Sequence, residues 1–259
     1  MLKKTVEDQI IIACLSDRKT NAVTRETLDQ LADIVAEVNQ DAGIKGLILT
    51  GEGRFFSSGF SLPMFVDFAD KEAVISFFTR EEQVLLDYFT CTKPVVCAIN
   101  GHCAAMGLIL AMASDFRLVK NHPKIKMGMS EIKIGLGLTI AQAAIMRFGL
   151  DSDKRFRDVM YFGEMKDVTC ALEQEMVDEL VDEDQLIVRA KQIISLWIDT
   201  PNQPFVQLKK SLKSDTAQKI AQDLAAGTWQ DSMCSALLNK DVKATLSFVQ
   251  AAMDKKSAS

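Results

Sequence analysis

Several features are scarce in this chain of 259 residues. It has two histidines, His102 and His122, and none of its six cysteines (Cys14, Cys91, Cys97, Cys103, Cys170, Cys234) forms a C-x-x-C pair. A structural zinc site therefore lacks ligands at usable spacing, and reduced, mostly buried thiols are the expectation. No apolar run reaches about 18 residues, which argues against a membrane-spanning helix. The stretch MLKKTVEDQ lacks the apolar segment of a secretion signal, and with the unpaired thiols this leads to the expectation of a cytoplasmic protein. Basic residues are in the minority, with 30 Lys and Arg against 35 Asp and Glu and a net charge of −5. That balance excludes a broad nucleic-acid footprint but leaves room for a local basic pocket that takes a phosphate-bearing ligand. No fixed-period repeat or low-complexity tract is present.

What is present reads as α/β. Short β-rich runs at Ile10 to Leu15, Ile44 to Thr50, Val95 to Ile99, Phe116 to Val119 and Ile125 to Met127 alternate with helical patterns, as expected for buried strands. Between the first two, Leu28, Leu31, Val35 and Val38 recur at helical spacing, and a second helical stretch from about Lys71 to Cys91 precedes Pro94. Two prolines, Pro201 and Pro204, break the helical pattern that ends near Trp197. We therefore divide the chain into a core over 1–199 and a helical region over 200–259. In the latter, Phe205, Leu208 and Leu212 share one face and Leu246, Val249 and Met253 another. Such faces need cover, from the main domain or from another subunit.

Two glycine-rich turns carry the candidate chemistry. GEGRFFSSGFSL (51–62) follows a strand; Gly51-x-Gly53 is a poor dinucleotide fingerprint, because position 56 is Phe and no helix opens there. Its Ser57-Ser58-Gly59-Phe60 segment is either an ordinary strand-to-loop turn or a bend whose N–H groups face a ligand. INGHCAAMGLILAMASD (99–115) runs from a strand into an apolar, buried helix. Its N-terminus is either a close-packed joint or a donor site for a developing oxyanion, with small residues at Ala104 and Ala105. Near both turns stands one acidic residue, Glu131, in MGMSEIKIGLGL. One carboxylate beside free N–H groups points to proton shuttling on an activated carbonyl.

The order of these motifs resembles the crotonase superfamily, also called the enoyl-CoA hydratase/isomerase family. DRKTNAV (17–23) and ALEQEMVDELV (171–181) add to the likeness, which covers roughly residues 9 to 199 well and the helical region more loosely. The resemblance implies a spiral of repeated ββα units with a C-terminal helical region, assembled as a homotrimer or a hexamer. It also implies an acyl-CoA thioester as substrate, with coenzyme A brought by the substrate and no separate cofactor, metal, nucleic acid or membrane involved. Carried over residue by residue, the oxyanion donors are the N–H groups of Phe60 and Met106, the proton shuttle is Glu131, and the substrate contacts are Ala22, Ser58, Gly59, Leu62, Gly107 and Ser130.

Hydratases of this family use two carboxylates, and the first of the two positions holds Ile109 here. Hydration needs one group to activate water and another to handle the α-proton, whereas moving a double bond from β,γ to α,β needs one base. The single glutamate is similar to the pattern of the Δ3,Δ2-enoyl-CoA isomerases. Three departures from the family stand out: Ser61 where many members have Asp, Met106 where glycine is customary, and GLGLTIA in place of a Pro-Gly-rich segment. The alternatives are hydration or decarboxylation by the same scaffold, and a catalytically silent acyl-CoA-binding subunit. Cys103 and His102 are adjacent, so their side chains do not converge as a nucleophile and base; His102 reads as a loop residue. The methionines at 106, 112, 127, 129 and 146 are core filling or acyl-tunnel lining. Arg18, Lys19 and Arg54 are solvated cations or contacts to the CoA phosphates.

Overall fold

The computed structural model of the protein describes residues 1–17 and 19–257, so Arg18 lies outside the described residues. The chain opens with a hairpin, β1 (Leu2–Glu7) and β2 (Ile10–Leu15), turned by Asp8 and Gln9 at φ of 52° and 64°. Two positive-φ residues match the right-handed twist of paired strands. Helix α1 (Arg25–Gln40) follows; the Thr24 side chain accepts from the Thr27 N–H at its start, and Leu28, Leu31, Val35 and Val38 are buried.

Three ββα units come next. The first is β3 (Gly46–Gly51), β4 (Phe55–Ser57), α2 (Leu62–Val66) and α3 (Lys71–Phe89). The second is β5 (Val95–Ile99), β6 (His102–Ala104) and α4 (Met106–Ala113). The third is β7 (Phe116–Lys120), β8 (Lys126–Gly128), a 3-10 turn over Glu131–Ile134, and α5 (Ile140–Leu150). The chain then runs through α6 (Asp153–Phe162), β9 (Lys166–Asp167), α7 (Val168–Glu173), β10 (Glu179–Val181), α8 (Leu186–Ile198), α9 (Pro204–Ala226), α10 (Gln230–Leu237) and α11 (Lys240–Ser257).

The first strand of each unit joins one sheet, ordered β1-β2-β3-β5-β7-β10, and the second joins another, ordered β4-β6-β8-β9. In the large sheet only β1 runs antiparallel to its neighbour. Its central strands are apolar on both sides because both faces are covered. Ile11, Leu47, Leu49 and Cys97 belong to the core shared with α1, α3 and α4, while Ile10, Ile48, Val96 and Leu118 pack with Ala190, Ile193 and Ile194 of α8. The α/β spiral expected from the sequence is the fold observed.

The structure departs from the sequence reading at two short strands, and it selects between the two covers that the reading left open for the helical region. The three-residue strands β4 and β6 lie inside segments read as turns, and His102 is on β6, its Nδ1 accepting from the Lys126 N–H at 3.0 Å. Of those two covers, residues 200–257 use the main domain, folding back on the core. Lys209 and Lys213 of α9 pair with the two carboxylate oxygens of Asp115 at 2.6 and 2.8 Å, both lysines being buried. The face at Leu246, Val249 and Met253 likewise turns inward on the chain itself. Leu246 is fully buried and the other two face an internal cavity. Among the exposed apolar residues, Leu196, Leu208 and Leu212 flank one groove beside Trp197 and Phe205.

Candidate active site

A cavity of about 470 Å³ opens between the two glycine-rich turns, the 3-10 turn and the C-terminal helices. Its first wall is the turn after β4, held from below by the 17–23 segment. The Asp17 carboxylate accepts from the backbone N–H groups of Lys19, Thr20, Asn21 and Ala22 at 2.7 to 2.8 Å. Burial would raise the Asp17 pKa, but these four bonds together hold it below the usual value. Asn21, buried and at positive φ, donates through Nδ2 to the carbonyls of Glu52 (2.9 Å) and Phe55 (2.7 Å). The Ser57 hydroxyl donates to the Asn21 carbonyl at 2.7 Å and accepts from the Gly59 N–H at 3.2 Å.

This network fixes the orientation of the next peptide. Phe60 forms a parallel bridge with Val23, in which the Val23 N–H bonds the Gly59 carbonyl and the Ser61 N–H bonds the Val23 carbonyl. In that pattern the bridging residue's own N–H points away from the bridge, and Phe60 lines the cavity. Gly59 permits the approach of the second turn. It has φ of 97°, and a Cβ there would lie 2.4 Å from the Ala105 Cβ and 3.3 Å from the Met106 nitrogen.

The second wall is the start of α4. Ala105 precedes the helix at φ 55° and ψ −127°, a conformation natural to glycine, so the chain carries strain of order 1 kcal/mol or more at this point. Met106 is the first helical residue, so its N–H is among those a helix leaves without an internal partner. All eight residues of α4 are buried. Gly107 lets the helix close on β4, since a Cβ there would sit 2.8 Å from the Ser57 Cβ.

Glu131 enters from the third side, at the first position of the 3-10 turn, which Gly135 ends in the left-handed conformation. Glu131 lines the cavity, yet its Oε2 is sequestered and has no hydrogen-bond partner among the described residues. Burial pushes its pKa up to about 7, against the pull of the backbone N–H groups of Glu131 and Ser130. A carboxyl poised near neutral pH suits general acid–base work. Ile109 also lines the cavity, to which it presents an apolar side chain.

Of the residues singled out from the sequence, Ala22, Ser58, Phe60, Leu62, Met106, Ser130 and Glu131 line this one cavity. Gly59 and Gly107 shape it through their close contacts behind the wall. Lys19 is also in the wall, whereas Arg54 is exposed and outside it. Among the five methionines considered for a tunnel, Met106 alone lines the cavity; Met112, Met127, Met129 and Met146 are core. Sequence reading did not find the contributions of Phe65, Phe78 and Gln142, nor that the walls include Met233, Leu237, Val249, Gln250 and Met253. The F-rich stretch of α2 and α3 was an available signal; the contribution of α10 and α11 had none, since it depends on where the tail folds. Among the described residues, no three His, Cys, Asp or Glu side chains gather to hold a metal ion.

The enoyl-CoA hydratase/isomerase family model matches residues 5–250. The chain is 23% identical over 218 residues to the mitochondrial enoyl-CoA delta isomerase 1 of Mus musculus, covering 84% of this chain and 75% of that protein. It is 28% identical to a probable enoyl-CoA hydratase of Bacillus subtilis over 131 residues, about half of each protein. The crystal structure of human mitochondrial delta3-delta2-enoyl-CoA isomerase superimposes with a TM-score of 0.89 over 98% of both chains at 18% identity, a likeness of fold. The relatives carry the names of two different reactions, so the choice between them rests on the site.

Proposed function

Because the chain belongs to the enoyl-CoA hydratase/isomerase family, we propose that it is an isomerase that moves the double bond of a 3-enoyl-CoA to the 2-position. The observation that carries this reading is Glu131: of the two carboxyls that line the cavity, Asp17 is taken up by four backbone N–H groups, and Ile109 stands where the family's hydratases place a second acid. The thioester oxygen accepts from the N–H groups of Phe60 and Met106. Ionised Glu131 takes a proton from C2; the C2–H electrons flow toward the thioester, and a dienolate forms whose oxygen carries the charge. Glutamic acid then returns the proton to C4, leaving the double bond between C2 and C3. Atoms balance without water, metal or redox cofactor, and coenzyme A arrives with the substrate. A backbone donor in such a position typically contributes a hundredfold or more, on the order of 3 kcal/mol.

Hydration is the alternative, and it needs a second group to activate water. Rates with purified protein discriminate the two. We expect conversion of a 3-enoyl-CoA to the conjugated 2-enoyl-CoA, followed by ultraviolet absorbance, to outpace hydration of the 2-enoyl-CoA. A protein that hydrates faster than it isomerises refutes the single-base mechanism. A protein that only binds acyl-CoA would exchange no α-protons in deuterated buffer. We further propose that the chain assembles as a homotrimer or hexamer, supported by the exposed Leu196, Leu208 and Leu212. Light scattering that returned the monomer mass of 28.7 kDa at micromolar concentration would refute this.

A further inference from the structure

We propose that α11 is the specificity-determining wall of the acyl cavity, setting the longest chain that fits, and that Lys243 is the latch that holds this wall closed. The inference rests on the acyl-CoA reading above and extends it to substrate length.

The last helix reaches back across both halves of the site. On one side the Lys243 ammonium donates to the carbonyls of Val66 (3.0 Å) and Phe68 (2.6 Å), which end α2 and the turn after it. A lysine satisfying the last carbonyls of a helix is a favourable cap, and α2 begins two residues after the proposed donor Phe60. On the other side, a Cβ at Gly135 would lie 3.2 Å from a Val242 methyl, so α11 also abuts the end of the turn that carries Glu131. Leu246 is fully buried between these supports. Val249, Gln250 and Met253, one turn further along, face the cavity, while Phe248 on the opposite side is 75% exposed.

The remaining walls are of a different kind. Phe65 and Phe78 line the cavity from within an aromatic cluster: Phe60 to Phe65 is 5.3 Å between ring centroids, Phe65 to Phe78 5.8 Å and Phe77 to Phe78 5.0 Å. Side chains packed in this way do not yield without loss of core contacts. The α11 wall, by contrast, has its outer face in water at Phe248, and beside the apolar packing of Val242 and Leu246 it is tied to α2 by the polar contacts of Lys243. A chain that grows toward it gains roughly fourfold in affinity for each methylene buried. Growth stops being favourable where Val249 and Met253 stand.

The test is calorimetric titration of the purified full chain with saturated acyl-CoAs from butyryl to hexadecanoyl. For the wild type we expect affinity to rise with each added carbon to a break, and then to level or fall. Val249→Phe, which adds four side-chain carbons, should move the break to chains about four carbons shorter, and Met253→Ala, which removes two carbons and a sulfur, to chains about two or three carbons longer. Lys243→Met should lengthen or abolish the break, and Lys243→Arg should keep it. An unchanged break in both Val249→Phe and Met253→Ala overturns the wall. A break unmoved by Lys243→Met, in protein whose circular dichroism is that of the wild type, overturns the latch. Wild type that binds none of the acyl-CoAs overturns the acyl-CoA reading itself, which is a different failure.

Discussion

Among the described residues, two groups of carboxyls have a pKa raised by burial, and they differ in what faces them. Glu131 lines the cavity, and one of its carboxyl oxygens, like Oε2 of Glu81, has no hydrogen-bond partner among the described residues. Glu81 and Glu82, adjacent on α3, are fully buried against the start of α5. The Glu82 carboxylate accepts from the Ala141 N–H at 3.0 and 3.2 Å, and Glu81 Oε1 accepts from Gln142 Nε2 at 2.9 Å. Burial raises the pKa of all three, and for Glu81 the neighbouring Glu82 adds to the rise. A perturbed carboxyl is therefore not by itself a site. What separates Glu131 is access to a cavity that also receives two backbone turns, whereas the α3 pair anchors the loop that leads from Glu131 into α5.

The sharpest way to break this comparison is Glu131→Gln. The amide keeps shape and cannot take a proton, so turnover should fall by about a hundredfold or more while acyl-CoA binding persists. In the wild type, kcat/KM should fall as pH drops through about 7, because the ionised base is then lost. Residual activity above about a tenth of wild type in the variant removes Glu131 from the role of base. The same substitution has a stability consequence of known sign. A carboxyl whose folded pKa is raised keeps its proton in the folded state between the ordinary value of 4.5 and about 7, so its contribution to stability is lost as pH rises through that window. Glu131→Gln should therefore raise stability at pH 8 by up to about 3 kcal/mol and have a smaller effect at pH 5. Thermal melts at the two pH values test it; equal shifts would contradict the burial of the carboxyl.

Glu81→Gln sharpens the comparison from the other side, with the smallest expected effect. Its amide oxygen can still accept from Gln142, so kcat should stay within about threefold of wild type, and stability should change by about 1 kcal/mol. Because the folded Glu81 pKa is raised, wild type loses stability as pH climbs above the ordinary carboxyl range, and the variant should lose less. Melts from pH 5 to 8 with unchanged slopes, or a hundredfold loss of kcat, would place Glu81 in a role other than anchoring.

Neighbouring residues alone determined a large part of this protein. The period of Leu28, Leu31, Val35 and Val38, the apolar runs at 10–15 and 95–99, and the buried helix after the second turn all emerged as read, because core-facing periodicity is written in contiguous sequence. In the cavity wall, the two glycine-rich turns and the lone acid Glu131 were visible as local signals, whereas Phe60, Met106 and Ile109 were singled out by the resemblance to the crotonase superfamily. Only the tertiary structure decided the rest. Strands β4 and β6 have three residues each, too few to show alternation, and exist because they pair with one another. The strain at Ala105 and the orphaned carboxyl of Glu131 depend on what packs around them. The wall that α11 adds to the cavity depends on where the chain folds back, as when Lys243 meets Val66 across 177 residues, and a contact of that span is set by the free energy of the whole fold and leaves no mark on its neighbours in sequence.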